Sequence, residues 1–323
     1  MSTSGKLRIA TRGSALALWQ SHFIGQKLQA LGHDYELVII QTTGDRVQDR
    51  FLHEIGGKGL FVKELELALR EGRADLAMHS LKDMPAVTAS EFAIPAFMKR
   101  HSPADYLVLH EKHRGDGVVE SSVQTWLRNG QRRIASSSLR RAHLLKNINP
   151  RITIDPIRGN VDTRLRKLQE STDWDGIILA EASLDRLSLK DKYPGIVLSP
   201  SWFLPSPSQG VLAIETIMDS AHIALLAKLD DPETRMAVAW ERGVLAALGG
   251  DCTMPFAGYA HKSGSQWELN ALVMSEKSRA SCSIMCGYDD FKNASTQIQR
   301  AMDELHRHGL RGVLDELKSL KKS

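Results

Sequence analysis

Short strand-like apolar runs alternate with helix-forming segments through the first two thirds of this 323-residue chain. This alternation constrains the fold more than any other feature, because strand–helix–strand order favours a mostly parallel sheet covered by helices. Ser14 can cap the first helix, since its hydroxyl can accept a bond from a free backbone N–H. The strand candidates are residues 7–11, 35–40, 74–78, 106–109, 133–135, 152–154 and 176–180.

The last hundred residues have a different texture. A proline-rich segment, 204–208, leads to the apolar run 211–214. A helical segment follows at 233–248, then two alternating strand candidates at 267–273 and 280–285, and then a long amphipathic helix, or a pair of helices, over 294–320. This order predicts a small α+β domain at the end of the chain.

Basic residues are concentrated between Arg132 and Lys167, where ten Lys or Arg stand against two acids, although the whole chain carries only +4. Arginines in this stretch lie at successive strand-to-helix junctions, where helix N-termini already favour anions. Guanidinium groups add paired donors that match carboxylate or phosphate. The stretch has no aromatic residue on which a base could stack, so a small polyanion is favoured over nucleic acid.

Asp83 closes the segment His79–Asp83, which follows a predicted buried strand. It is either a turn residue or a carboxylate that stabilises, or exchanges protons with, a cationic intermediate. Its neighbour Lys82 would bind an anion or neutralise Asp83. The segment 56–59 resembles an anion-binding turn but lacks the spacing of a phosphate-binding loop.

The chain has three cysteines, too few for a disulfide framework at this length. Cys252 falls in a predicted loop and is a candidate nucleophile or attachment point. Cys282 and Cys286 fall in an alternating strand pattern and are predicted to be structural. The histidines form no metal-binding motif, so no metal is expected.

The polar N-terminal residues lack the apolar core of a signal peptide, and no apolar run approaches the length of a membrane helix. We therefore expect a cytoplasmic protein without a membrane partner. Two other classes remain open from the residues: a hinged solute-binding module built on the two α/β units, and an RNA-binding protein that uses the arginine stretch.

Taken together, the motifs resemble the porphobilinogen deaminase family, also called hydroxymethylbilane synthases. The resemblance runs over nearly the whole chain and in the same order, so the combination is far more specific than any one piece. The matching segments are 7–14, 16–20, 56–66, 73–75, 79–83, 137–141, 157–161, 163–164, 179–180, 209–210 and 241–252.

The resemblance implies an α/β fold of three domains. Two are doubly wound and similar to periplasmic binding proteins, with the active site in the cleft between them, and a small α+β C-terminal domain carries the cofactor cysteine. The implied boundaries are 1–104 with 200–222, then 105–199, then 223–323.

The resemblance also implies a transferase that joins four porphobilinogen molecules head to tail on a dipyrromethane cofactor. The cofactor would be held by a thioether to Cys252, and Asp83 matches the catalytic aspartate of the family. A monomer is typical of the family. The residues that match its carboxylate-binding set are Arg12, Ser14, Lys82, Ser138, Arg140, Arg141, Arg158 and Arg164.

Three positions depart from the family pattern. Asp251 stands where many relatives have glycine just before the cysteine, and Glu54 stands where bacterial relatives often have lysine. Ser136 replaces a common threonine and keeps the hydroxyl. The first two changes affect loops in which the resemblance places cofactor or substrate contacts.

Overall fold

The computed structural model describes residues 5–41, 62–250, 254–291 and 293–320. Its strands are, in chain order, β1 (Leu7–Arg12), β2 (Tyr35–Ile40), β3 (Leu76–Ser80), β4 (Phe92–Phe97), β5 (Asp105–Leu109), β6 (Arg133–Ala135), β7 (Thr153–Asp155), β8 (Gly176–Ala180), β9 (Gly195–Leu198), β10 (Leu212–Ile217), β11 (Phe256–Ser263), β12 (Gln266–Met274) and β13 (Arg279–Cys286). Its α-helices are α1 (Ala15–Ala30), α2 (Lys63–Arg70), α3 (Val123–Arg128), α4 (Leu139–Ile148), α5 (Val161–Glu170), α6 (Glu181–Arg186), α7 (Ile223–Leu226), α8 (Pro232–Ala247), α9 (Tyr288–Phe291), α10 (Ala294–Arg307) and α11 (Leu310–Leu320). Single turns of 3₁₀ helix lie at Leu81–Asp83, Glu111–His113 and Ala227–Leu229.

The chain divides into two units, Met1–His101 with Gly210–Arg235, and Ser102–Gln209 with Met236–Ser323. The first unit is built on a five-stranded sheet of order β2-β1-β3-β10-β4. β1 is parallel to β2 and β3, as predicted, whereas β10 is antiparallel to both β3 and β4. The sheet is therefore mixed. The sequence did not predict this, because the apolar run 211–214 gave no indication of the direction of the strand that forms there.

The second unit contains a five-stranded sheet of the same topology, with order β7-β6-β8-β5-β9. β6 is parallel to β7 and β8, and β5 is antiparallel to β8 and β9. Apolar side chains pack on both faces, with Ile134 and Leu107 in one cluster and Ile177 and Leu165 in the other. The predicted α/β class is confirmed, although neither five-stranded sheet is as uniformly parallel as the alternation suggested.

A third sheet, β11-β12-β13, is antiparallel and also belongs to the second unit. Trp240 of α8 and Trp267 of β12 are buried in its core with residues of α10 and α11. At the end of β12, Met274 packs in the same cluster as Phe203, so this sheet is docked on the core of the preceding one. The α+β character predicted for this region is confirmed, but β11 was not predicted, because its run of small and polar residues shows no sustained apolar alternation.

Within the described ranges, no helix combines the length and the apolar character needed to cross a bilayer.

Candidate active site

Two of the predicted anion-binding residues, Arg12 and Ser14, lie where β1 passes into α1. Arg12 is the last residue of β1, and Ser14 is the N-cap of α1. The Ser14 hydroxyl accepts a hydrogen bond from the Ala17 N–H at 3.3 Å, which confirms the predicted cap. Both side chains are half-buried, so the junction positions them while part of each stays accessible.

Lys82 and Asp83 lie in the 3₁₀ turn that follows β3. Leu81 begins this turn, is fully buried and donates its N–H to the Val211 carbonyl at 3.0 Å. Met84, which follows the turn, is buried as well. Between these anchors Asp83 is exposed and Lys82 is half-buried. A carboxylate and an ammonium group are thus presented at the carboxyl end of a buried strand, where a ligand from solvent can meet them.

A buried pair of hydrogen-bonded side chains includes a residue of the strand that leads into this turn. His79 Nε2 of β3 lies 2.8 Å from Glu215 Oε2 of β10, and the two side chains are 4% and 0% exposed. Burial raises the pKa of Glu66 on α2, and the charge of Glu215 raises it further. Sequence reasoning missed the pair because its members are 136 residues apart.

In the second unit, three serines connect β6 to α4. The Ser138 hydroxyl caps α4 by accepting the Arg141 N–H at 3.4 Å. The Ser137 hydroxyl donates to the Ile157 carbonyl at 2.6 Å and accepts the Ile157 N–H at 2.9 Å. This exchange ties the loop that carries Ser138 to the segment that carries Arg158.

Arg140 and Arg141 are more enclosed than the other cationic candidates, with only 4% and 7% of their surface exposed. Arg140 Nη2 donates to Asp105 Oδ2 at 2.7 Å, and Arg141 Nη2 donates to Asp105 Oδ1 at 2.6 Å. Burial opposes ionisation of Asp105, but the two guanidinium groups outweigh it and hold the pKa of this carboxyl well below its usual range. Both arginines therefore bind an internal carboxylate that the sequence analysis did not identify.

Arg158 and Arg164 lie on either side of the turn between β7 and α5, and both are half-buried. Arg164 Nε donates to the Gly159 carbonyl at 2.8 Å. Gly159 has a φ of 111°, and a Cβ there would lie 2.5 Å from Thr163 Cγ2, so this turn requires glycine. The turn between Arg158 and Arg164 therefore has a backbone conformation that residues other than glycine rarely adopt.

The remaining charge of the basic stretch is divided among separate local contacts. Arg133 pairs with Asp155, and Arg166 pairs with Glu170 at 2.7 Å on an exposed helix face. Arg132 lies over the Trp126 ring, 4.1 Å from its centroid. The excess seen in the sequence is therefore not one continuous binding surface.

Cys252 lies outside the described residues, as do Asp251, Glu54 and the segment 56–59. The chain enters its segment through Gly249 and Gly250 at the end of α8 and leaves it towards β11. The other two cysteines are buried on β13. Burial raises the pKa of Cys282 to about 12 and also raises that of Cys286, so both thiols are packing groups and poor nucleophiles.

Among the described residues, the structure brings together no group of three or more His, Cys, Asp or Glu side chains that could hold a metal ion.

A family model described as "Porphobilinogen deaminase, dipyromethane cofactor binding domain" matches residues 7–224. A porphobilinogen deaminase of Stenotrophomonas maltophilia is 43% identical over 270 residues, which are 83% of this chain and 85% of that protein. A porphobilinogen deaminase of Chromobacterium violaceum is 42% identical over 83% of this chain and 84% of its own length. A probable porphobilinogen deaminase of Methanosarcina barkeri is 41% identical over 78% of this chain and 76% of its own length.

Solved structures similar to the chain include an ancestral cationic amino acid solute-binding protein, with a TM-score of 0.40 and 14% identity over 70% of this chain and 88% of that one. A probable amino-acid transporter extracellular-binding protein of Bacillus subtilis has a TM-score of 0.39 and 11% identity over 69% of this chain and 90% of its own.

Proposed function

The chain belongs to the porphobilinogen deaminase family, and we propose that it is the transferase that joins four porphobilinogen molecules head to tail into hydroxymethylbilane, with loss of ammonia. The observation that carries this conclusion is the family match over 7–224, which contains Asp83 and every cationic candidate. The substrate is a small polycarboxylate, and the two groups of cationic side chains suit such a ligand.

We propose that Asp83 is the catalytic carboxylate. When the C–N bond of the protonated aminomethyl group of the substrate breaks, the electron pair leaves with nitrogen as ammonia, and the remaining azafulvenium ion carries the positive charge. An ionised carboxylate beside that charge lowers its energy. Asp83 suits this role because its side chain is exposed while Leu81 and Met84 fix the turn on both sides.

We propose that a dipyrromethane cofactor is held by a thioether to Cys252, the cysteine that the alternating strand pattern does not explain. When bound, this group supplies the pyrrole carbon to which the first substrate unit is joined. The residues present fit a ligand of this kind, since Arg140 Nε is buried and has no hydrogen-bond partner among the described residues. That orphaned donor points to an anionic group still to be bound.

The other proposed carboxylate-binding residues are drawn from both units. Arg12, Ser14 and Lys82 belong to the first unit, and one serine and four arginines belong to the second. Guanidinium groups suit acetate and propionate side chains, because their planar donors match a carboxylate in pairs. The second set is Ser138, Arg140, Arg141, Arg158 and Arg164.

We propose three domains with the boundaries 1–104 with 200–222, 105–199, and 223–323. Three separate sheets, each with its own apolar core, support this division. We further propose that the protein acts as a cytoplasmic monomer on a small-molecule substrate, without a nucleic-acid or membrane partner. Arg133 pairs with Asp155, and Arg166 pairs with Glu170. These ion pairs partly neutralise the two arginines, which supports the exclusion of nucleic acid.

The first prediction is that the purified protein carries a covalent adduct. Its intact mass should exceed the sequence mass by one dipyrromethane unit, and it should give a coloured product with Ehrlich's reagent. Cys252→Ser should abolish both signals, because the hydroxyl of serine cannot form the thioether. Cys282→Ser is the matched control and should keep the adduct, since that thiol is buried on β13.

An active protein without excess mass would contradict the attachment at Cys252. A solute-binding module or an RNA-binding protein predicts no covalent adduct, so the same measurement separates these classes from the proposed enzyme.

A further inference from the structure

Asp105 is a fully buried carboxylate that accepts hydrogen bonds from separate segments of the second unit. Its Oδ1 accepts hydrogen bonds from Arg141 Nε at 3.0 Å, Arg141 Nη2 at 2.6 Å and Gln209 Nε2 at 3.0 Å. Its Oδ2 accepts one from Arg140 Nη2 at 2.7 Å. Such a carboxylate, saturated by charge-assisted bonds, fixes the planes of both guanidinium groups.

The same two arginines are also bound to the backbone. Arg141 Nη1 donates to the Ile178 carbonyl on β8 at 2.8 Å, and Arg140 Nη1 donates to the Leu204 carbonyl at 2.8 Å. Every nitrogen of Arg141 is thereby used inside the protein. Arg140 differs, because its Nε has no partner among the described residues although the side chain is almost fully buried.

The charges of this cluster are also unbalanced. Two guanidinium groups face one carboxylate, so the cluster keeps one net positive charge. That charge lies in a region withdrawn from water, where an unpaired cation is costly and a further anion is strongly favoured. The unsatisfied donor of Arg140 shows on which residue this anion would be received.

Asp105 also lies where the chain enters and leaves the unit. The unit begins at Ser102, and its first segment ends at Gln209. Asp105 and Gln209 are therefore close in sequence to two points at which the chain passes from one unit to the other. Gln209 Nε2 additionally donates to the Pro103 carbonyl at 2.7 Å. One carboxylate therefore fixes the arginine pair and the two crossing segments in a single arrangement.

We propose that Asp105 is a positioning residue for the carboxylate-binding site: it orients Arg140 and Arg141 and leaves one donor edge, on Arg140, to receive a single ligand carboxylate. This inference rests on the proposed function, because it takes the ligand to be a pyrrole carboxylate. It assigns unequal roles to the two arginines. Arg140 touches the ligand carboxylate directly, whereas Arg141, which belongs to the same proposed carboxylate-binding set, contributes to binding by holding Asp105 in place.

The test uses the full-length protein as purified, with Asp105→Asn and Asp105→Glu compared with Asp75→Asn. Asp75 is the matched control because it also binds an arginine through two nitrogens, with Arg8 Nη2 at 2.7 Å and Arg8 Nε at 3.2 Å. Each variant is measured for its melting temperature, for the fraction that carries the adduct, and for KM and kcat with porphobilinogen.

We expect Asp105→Asn to raise KM at least tenfold while kcat of the adduct-bearing fraction changes less than threefold, because a lost orienting group weakens binding throughout the reaction. Asp105→Glu should recover most of the KM defect, and Asp75→Asn should leave KM unchanged even where it lowers the melting temperature. Wild-type KM in a folded Asp105→Asn, or equal KM changes in both asparagine variants, would overturn the proposal.

A second pair of variants decides the matter if Asp105→Asn does not fold. Arg140→Lys keeps the charge but lacks the Nε donor, and Arg141→Lys keeps the charge but loses contacts to Asp105. We expect the larger rise in KM from Arg140→Lys and the larger fall in melting temperature from Arg141→Lys. Equal effects on KM would reject the division of roles. Absence of adduct and activity in the wild-type protein would instead reject the proposed function itself.

Discussion

Two aspartates of this chain show how the surroundings of one side chain determine what it can do. Asp83 is exposed on a short turn whose flanking residues are buried. Asp105 is fully buried, and the guanidinium groups of Arg140 and Arg141 hold its pKa far below the usual range against the effect of burial. The first carboxylate can approach a reacting molecule, whereas the second is committed to the protein's own cations.

The second prediction concerns Asp83→Asn. The amide keeps the shape of the side chain but cannot offset positive charge, so we expect kcat to fall by about 10²–10⁴-fold, the range usual for a lost acid–base group. The melting temperature and the adduct should be retained, because the side chain is exposed. Steady-state rates with porphobilinogen measure this. Asp34→Asn, the same change at another exposed aspartate, should leave kcat unaltered, and a near-normal rate for Asp83→Asn would refute its role.

The elements around the site were predictable to the extent that their signals are local. β1 with its Ser14 cap, β3 and β8 all follow from short apolar runs and their flanking residues. β10 and β4 were not placed, because the direction and neighbours of a strand depend on residues far away in sequence. The turn at Gly159 is also indicated by a local signal, since a glycine between a strand and a helix favours a special backbone conformation.

The third prediction tests that turn with Gly159→Ala. A φ of 111° and a Cβ only 2.5 Å from Thr163 Cγ2 make both backbone strain and a steric clash unavoidable. We expect the free energy of unfolding to fall by more than the roughly 1–2 kcal/mol that the left-handed conformation alone costs. Gly130→Ala is the control, because its φ is 88° but its nearest neighbour lies 3.9 Å away. Urea denaturation should show the larger loss for Gly159→Ala, and equal losses would show that the clash is relieved.

At the scale of the whole molecule, the contacts that matter most join distant parts of the sequence. Arg141 and Asp105 are 36 residues apart, and Gln209 and Asp105 are 104 apart. Sequence reasoning found the arginines because a strand-to-helix junction is a local pattern. It could not find their partner, because an aspartate at the start of an apolar strand has the same appearance whether it faces solvent or two guanidinium groups.

The fourth prediction concerns acid stability. The pKa values of Asp75, Asp105 and Asp175 are all lowered, because their ion pairs and hydrogen bonds outweigh the effect of burial. A carboxyl group whose pKa is lower in the folded state stabilises that state above its unfolded pKa of about 3.9, and this stabilisation is lost as the pH falls. We expect the free energy of unfolding to decline steadily below about pH 5. Urea titrations between pH 7 and pH 3 measure this, and constant stability over that interval would contradict it.

The place of β10 between β3 and β4 has a consequence for how the protein is made. A ribosome that builds the chain from its first residue completes all of 102–209 before Leu212–Ile217 exists. Until then the edge of β3, the strand that carries the turn with Asp83, has no neighbour on that side. The second sheet, whose strands all lie within 105–198, can pair fully during this interval. Nascent chains should therefore complete the later sheet first, and the turn that carries Asp83 is among the last parts of the protein to be fixed in place.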